Sequence, residues 1–141
     1  MRAAIELSRC CAPSATAFSV GAVLVSASGD LIAAGYSRQE KPGDHAEEVA
    51  LRRAADRGMP AGATTLYSSL EPCVRRASRP VTCAELIAAA GIRRVVIAWR
   101  EPALFVPGGG AAWLSAHGVT VMEYPELAAA AQSANRHLLT G

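Results

Sequence analysis

The sequence predicts an α/β domain in which helices cover both faces of a five-stranded mixed sheet. Five short runs rich in β-branched and aliphatic residues alternate with segments of helical periodicity. The first two runs are separated only by the turn signal Ser28-Gly29-Asp30, which predicts an antiparallel hairpin. Helices separate the later runs, and strands joined through a helix usually lie parallel. With 141 residues, the chain is expected to form one domain over residues 1–141.

The predicted strands are short apolar runs bounded by turn residues. They cover residues 18–26, 31–37, 63–70, 92–99 and 118–124. Runs of this kind suit strands that are buried on both faces of a sheet. Loops are expected at residues 39–44, 71–82 and 107–110, because each range contains proline and two of them also contain glycine.

Helical periodicity is clearest over residues 45–57. Apolar side chains recur there at helical spacing, with Asp44 as the expected N-cap and Gly58 as the stop signal. Other helices are predicted over residues 2–11, 83–90, 111–116 and 126–139. The predicted order is one helix, a hairpin, and then helices alternating with three further strands.

The composition argues against several classes of protein. Apolar residues make up 51% of the chain and the net charge is +2, which favours a folded core and is too small to indicate nucleic-acid binding. No uncharged stretch approaches the roughly 20 residues of a membrane span, and the first residues do not resemble a signal peptide. We therefore expect a cytoplasmic protein whose four cysteines are reduced and serve as core residues, ligands or nucleophiles.

Three short motifs indicate a metal site. His45 and Glu47 lie at the start of the predicted helix 45–57, Cys73 follows a strand and a proline, and Cys83 begins the next helix. One imidazole and two thiolates are a good ligand set for a catalytic zinc ion, which keeps its fourth position for water. We predict one Zn²⁺ per chain, held by His45, Cys73 and Cys83.

Glu47 is predicted to be the catalytic acid and base. Ideal helical geometry would turn it about 200° away from His45, but both can line one pocket where the chain enters the helix. A glutamate beside the metal can take a proton from the attacking water and return protons to a ring nitrogen and a leaving amine.

These motifs resemble the H-x-E…P-C…C signature of the cytidine and deoxycytidylate deaminase superfamily. The segments DHAEEVAL, ATTLYSSLEPC and CAELIAAAGIRRVVIA are most similar to the deaminase domain of bifunctional riboflavin-biosynthesis proteins. The resemblance implies a cytidine-deaminase-like three-layer α-β-α sandwich and the hydrolytic removal of an amino group from a heterocycle as ammonia. It also implies a homodimer or higher homo-oligomer.

The segment before the first Val-Gly pair departs from the riboflavin pattern. Riboflavin-type domains carry an asparagine there that contacts the sugar, whereas this chain reads Ala17-Phe18-Ser19-Val20-Gly21, and its single asparagine is Asn135. We therefore predict a small amino-substituted ring as the substrate, such as a cytosine-like pyrimidine, a triazine or a purine base. The diaminopyrimidine nucleotide of riboflavin synthesis is the alternative.

The substrate-binding candidates come from the loops around these motifs and from the resemblance. They are Phe18, Ala46, Ser69, Arg79, Glu101 and Phe105. Glu101 follows the fourth strand, at a sheet end where ligands tend to bind, and could accept a hydrogen bond from a ring amine or lie solvated on the surface. Arg38 and Arg79 could bind a phosphate or be solvated.

Two other functions remain open at this point. A nucleic-acid base editor would need a basic or stacking surface beside the site, and the low charge and aromatic content speak against it. A non-catalytic zinc module would need a fourth protein ligand, and the remaining histidines, His117 and His137, lie far along the chain from the motifs.

Overall fold

The computed structural model describes residues 1–59, 62–105 and 108–140, and its strands form the mixed sheet that the sequence predicts. The strands are β1 (Gly21–Ser26), β2 (Leu31–Tyr36), β3 (Thr64–Ser68), β4 (Arg94–Ile97) and β5 (Thr120–Glu123). Their spatial order is β2-β1-β3-β4-β5. β1 is antiparallel to both of its neighbours, whereas β3, β4 and β5 run parallel.

The helices alternate with the later strands. They are α1 (Arg2–Ser8), α2 (Ala46–Asp56), α3 (Cys83–Ala89), α4 (Gly110–Ala116), α5 (Ala128–Gln132) and α6 (Arg136–Leu139). Among the described residues, no helix is long and apolar enough to cross a lipid bilayer.

Two glycines let helices approach the hairpin from opposite faces. A Cβ atom on Gly21 would lie 1.9 Å from the carbonyl oxygen of Ala4 in α1, and one on Gly35 would lie 2.7 Å from that of Ala46 in α2. Gly35 pairs with Ala22, the residue after Gly21, and successive residues of a strand face opposite sides. The predicted three-layer α-β-α sandwich is therefore confirmed.

The structure differs from the predicted elements at both ends of the chain. β1 begins at Gly21, and the N–H groups of Ser19 and Val20 before it donate to the side chains of Asn135 and Ser37. The Val20 carbonyl accepts one backbone hydrogen bond, from the N–H of Ser37. The predicted helix 126–139 is interrupted by a 3₁₀ turn at Ser133–Asn135, from which the Asn135 side chain enters the core.

The N-cap predicted for α2 is wrong. The cap is His45, whose backbone is extended, and its N–H donates to the carboxylate of Glu48 over 3.4 Å. The Asp44 carboxylate turns back and accepts hydrogen bonds from the N–H groups of Glu40 and Lys41. The stop predicted at Gly58 is confirmed, since this glycine has a φ of 66° and its N–H donates to the carbonyl of Ala55.

Candidate active site

A cavity of about 530 Å³ opens where α2 begins and where β3 and β4 end. One wall is the irregular segment before β1, and the opposite side is the loop between β3 and α3. His45, Glu47 and Cys73 lie in its lining. The carboxyl ends of parallel strands are where open α/β sheets usually bind ligands.

His45 and Cys73 line this cavity, and the buried Cys83 lies directly beside them, with the three ligand atoms within 4.8 Å of one another. The Nδ1 atom of His45 lies 3.5 Å from Sγ of Cys73 and 3.5 Å from Sγ of Cys83. A regular tetrahedron with metal–sulfur bonds of about 2.3 Å and metal–nitrogen bonds of about 2.0 Å separates nitrogen from sulfur by about 3.5 Å. The three ligand atoms therefore fit a tetrahedral metal ion such as zinc, which would keep one position for a small molecule.

The local backbone brings the two cysteines together across a nine-residue loop. Thr82 caps α3 by accepting a hydrogen bond from the N–H of Glu85, which makes Cys83 the first helical residue. The N–H of Cys83 then donates to Sγ of Cys73 over 3.4 Å, and the next N–H, of Ala84, donates to the Cys73 carbonyl. The start of α3 thus holds the Cys83 thiol beside the Cys73 thiol, which lines the cavity.

The two thiols differ strongly in acidity. The hydrogen bond with Cys83 and the neighbouring His45 imidazole lower the pKa of Cys73 to about 4. The same hydrogen bond, together with burial, raises the pKa of Cys83 well above its usual value. The pair thus holds a proton that a bound dication would displace, as metal binding to thiols generally does.

Glu47 lies in the first turn of α2 and reaches the same cavity. Because His45 is the extended cap rather than a helical residue, the helical angle between positions 45 and 47 does not separate their side chains. The Glu47 side chain is buried and accepts a 2.9 Å hydrogen bond from Oγ of Ser68. Burial raises the pKa of the Glu47 carboxyl, which suits a group that both accepts and returns protons.

A network of ion pairs fixes the loop that carries the cysteines to the start of α2. Arg76 lies 3.3 Å from a Glu48 oxygen, has only 2% of its side chain exposed, and places Nη1 4.0 Å from Sγ of Cys83. Arg79 pairs with Asp44 and Glu48. Buried charges are stable in proteins when they are paired in this way.

Four of the six substrate-binding candidates line the cavity, namely Phe18, Ala46, Glu101 and Phe105. Ser69 does not: its buried hydroxyl accepts a hydrogen bond from the N–H of Gly21 on the neighbouring strand. Arg79 is also absent from the lining, because its guanidinium is held by the ion pairs described above.

Arg38 lines the cavity, but its guanidinium is already engaged. It donates to the carbonyl groups of Ala12 and Phe18 and to the hydroxyl of Ser19. Those contacts make it a support of the cavity wall rather than the phosphate ligand considered from the sequence.

Several residues that matter to the site carried no signal in the sequence. Ser68 lies in a buried strand beside a second serine, and Glu71 accepts hydrogen bonds from the N–H groups of Glu101 and Ala111. The proline before Cys73 is part of a sequence motif and could be recognised, whereas the contacts of Ser68 and Glu71 depend on long-range packing.

The comparisons with known proteins agree with this geometry. A family model described as the cytidine and deoxycytidylate deaminase zinc-binding region matches residues 1–99. The chain belongs to that family of deaminases.

Relatives narrow the resemblance to one branch. The chain is 34% identical over 125 residues to a diaminohydroxyphosphoribosylamino-pyrimidine deaminase of Schizosaccharomyces pombe, and 41% identical over 102 residues to the riboflavin biosynthesis protein RibD of Mycobacterium tuberculosis. These matches cover 87% and 72% of this chain but only 31% and 28% of the relatives. The resemblance to riboflavin-biosynthesis deaminase domains is confirmed.

A solved structure supports the same relationship. A diaminohydroxyphosphoribosylaminopyrimidine deaminase/5-amino-6-(5-phosphoribosylamino)uracil reductase from Thermotoga maritima superposes with a TM-score of 0.86 at 31% identity. The superposition covers 99% of this chain and 39% of that protein.

Proposed function

We propose that this protein hydrolyses an exocyclic amino group of an aminopyrimidine and releases ammonia. The observation that carries the proposal is the tetrahedral spacing of His45 Nδ1 and the two cysteine Sγ atoms beside the buried carboxyl of Glu47. That combination offers a cluster of three metal ligands, two of which line the cavity, and a separate proton carrier in the same lining.

His45, Cys73 and Cys83 would hold one zinc ion, whose Lewis acidity lowers the pKa of water and so supplies a nucleophile at neutral pH. Glu47 takes a proton from the water as its oxygen attacks the ring carbon, and passes that proton to the adjacent ring nitrogen. Glu47 then transfers the second water proton to the departing amine, so that the amidine and water become a carbonyl and ammonia. Ser68 orients the carboxylate through its hydrogen bond to Oε1.

For the substrate, we favour the diaminopyrimidine nucleotide over a free base. The Schizosaccharomyces pombe and Thermotoga maritima relatives are named as deaminases of such a nucleotide, and a cavity of about 530 Å³ has room for a ring with a sugar phosphate. The exposed Arg75 lines the cavity and could pair with a phosphate. The free base predicted from the sequence stays the second candidate, because Ala17 lines the cavity where an asparagine would offer a polar contact.

The test is a metal analysis combined with an ammonia-release screen. We expect about one zinc per chain and ammonia release from diaminohydroxyphosphoribosylaminopyrimidine. Cytosine, a triazine, guanine and their nucleosides form the comparison set. A zinc-loaded protein that releases ammonia from none of these compounds would refute the proposal, and release from a free base alone would favour the second candidate.

We also propose a cytoplasmic protein that assembles into a homodimer or higher homo-oligomer. Leu104 and Phe105, at the cavity side of the loop after β4, are 50% and 40% exposed. A second copy could bury this apolar pair, which is costly to leave in water. Sedimentation of the purified chain tests the assembly, and a single species of monomer mass at micromolar concentration would contradict it.

A further inference from the structure

The cavity wall formed by residues 16–20 is not part of the sheet. Thr16, Ala17, Phe18 and Val20 line the cavity, but β1 pairing starts only at Gly21. A buried backbone outside a strand ladder needs other hydrogen-bond partners. In this segment most of those partners are side chains from elsewhere in the chain, and the N–H of Ser37 supplies one backbone hydrogen bond to the Val20 carbonyl.

The central contact comes from the far end of the sequence. Oδ1 of Asn135 accepts a 2.6 Å hydrogen bond from the N–H of Ser19, and Nδ2 of Asn135 donates a 3.0 Å hydrogen bond to the carbonyl of the same residue. The carboxamide thus pairs with Ser19 as a neighbouring strand would. Asn135 is 1% exposed and is the single asparagine of the chain.

Two further side chains hold this segment and the residues just before it. Arg38, whose φ of 60° lies in the left-handed region, donates to the Phe18 carbonyl over 3.1 Å and to the Ser19 hydroxyl over 2.9 Å. Nε2 of His137 lies 2.8 Å from the carbonyl oxygen of Ser14. The left-handed conformation of Arg38 is strained for a residue other than glycine, and such a conformation persists where surrounding contacts, here the hydrogen bonds of Arg38, hold it.

We infer that Asn135 and His137 act as a clamp on residues 14–20 and that Asn135 is a positioning residue for substrate binding. Asn135 grips Ser19, which lies between the lining residues Phe18 and Val20, so it fixes where those two side chains meet the substrate. Asn135 touches neither the metal ligands nor Glu47 through a hydrogen bond, so the effect falls on affinity rather than on the chemical step. The inference rests on the proposed deaminase function.

The clamp lies outside the part of the chain that defines the family. The family model matches residues 1–99, and Asn135 lies 36 residues beyond that match. Ser19, two residues after Ala17, is held by an asparagine that comes from the C-terminal segment. The C-terminal segment supplies support that the family motifs do not describe.

The experiment compares the full-length variants Asn135→Ala and Ser133→Ala. Ser133 is the matched control, because it is in the same 3₁₀ turn and its hydroxyl donates only to the nearby carbonyl of Ala130. Hydrogen exchange, zinc content and steady-state kinetics with diaminohydroxyphosphoribosylaminopyrimidine are measured on each. For Asn135→Ala we expect exchange at residues 14–20 to rise and KM to rise about tenfold, with kcat within about threefold and zinc retained.

The opposite pattern would overturn the inference. Unchanged exchange at residues 14–20, or a fall in kcat with KM unaltered, would show that Asn135 does not position the wall. If Asn135→Ala does not fold, His137→Ala decides the question, since His137 is exposed and its loss should still raise exchange around Ser14 and raise KM severalfold. Unaltered exchange and KM in His137→Ala would then refute the clamp.

The exchange arm also separates this inference from the proposed function. If the wild-type protein releases no ammonia, the proposed function fails, whereas the exchange comparison still shows whether Asn135 holds residues 14–20. Faster exchange confined to that segment would support the clamp, and equal exchange in both variants would reject it.

Discussion

The hydroxyl of Ser68 donates a 2.9 Å hydrogen bond to Oε1 of Glu47, and it joins the sheet to the proposed proton carrier. Both side chains are buried, and Ser68 is the last residue of β3. The next residue, Ser69, faces the other way and bonds to Gly21. This alternation separates a serine that supports the site from one that supports the sheet.

Ser68→Ala should therefore lower kcat about fivefold, because the loss of a hydrogen bond of about 1 kcal/mol frees the Glu47 carboxylate from its productive orientation. Ser69→Ala is the matched control, and it should lower stability without a comparable fall in kcat. Ammonia-release kinetics and denaturant unfolding of both variants check the prediction. Equal kcat losses in the two variants would contradict it.

Glu47→Gln should retain zinc and lose about a hundredfold to ten-thousandfold in kcat, because the amide keeps the shape of the side chain but cannot carry a proton. Metal analysis and ammonia release on the same preparation provide the measurement. Activity close to that of the wild type would remove Glu47 from its proposed role. Loss of zinc in this variant would instead assign it a part in metal binding.

Arg76→Gln should weaken zinc retention about tenfold to a hundredfold. The buried Arg76 guanidinium lies 4.0 Å from the Cys83 thiol. Mutations of residues that support metal ligands usually weaken metal affinity by this factor. Arg75→Gln is the control from the neighbouring position. Because Arg75 is exposed and lines the cavity, that variant should keep its zinc and raise KM for a phosphate-bearing substrate.

Competition with a chelator measures zinc retention in the two arginine variants. Equal retention in both variants would contradict the contribution of Arg76. An unchanged KM in Arg75→Gln would remove Arg75 as the phosphate contact.

Titration of Glu101 should weaken substrate binding at alkaline pH. Burial, followed by the negative charges of Cys73, Glu47 and Glu71, raises the pKa of Glu101 to about 8. A carboxyl with a pKa of about 8 is mostly protonated at pH 7 and can donate a hydrogen bond, and it loses that proton as the pH rises through about 8. We therefore expect KM to rise above that pH.

The variant Glu101→Gln checks the assignment, because it is neutral and offers a donor at every pH. Its KM at pH 7 should lie within about threefold of the wild-type value, and the rise above pH 8 should disappear. A pH series of kcat and KM on both proteins is the measurement. An alkaline rise that persists in Glu101→Gln would place the titrating group elsewhere.

The order and type of the secondary structure elements could be predicted because they depend on local periodicity. The helix around Ala46–Asp56 and the hairpin of β1 and β2 follow from patterns within a dozen residues. The start of β1 and the break at Ser133–Asn135 could not be predicted in this way. Both involve the contact between Ser19 and Asn135, which lie 116 residues apart, and the start of β1 also involves the contacts between Val20 and Ser37.

The sequence alone also indicated the metal ligands and Glu47, because motifs combine residue type, spacing and position at a strand or helix end. It could not decide which of its substrate-binding candidates reach the cavity. Ser69 and Arg79 were reasonable candidates by position, yet strand alternation turns one away and ion pairs hold the other.

By itself, then, the sequence determined the family and the sandwich and predicted the ligand set, since these depend on residue types within short segments. Only the tertiary structure decided that His45 caps α2, that Ser68 rather than Ser69 supports Glu47, and that Asn135 holds the cavity wall. The physical reason is that a hydrogen bond requires two groups to lie within about 3 Å of each other, and that distance depends on how separate elements pack.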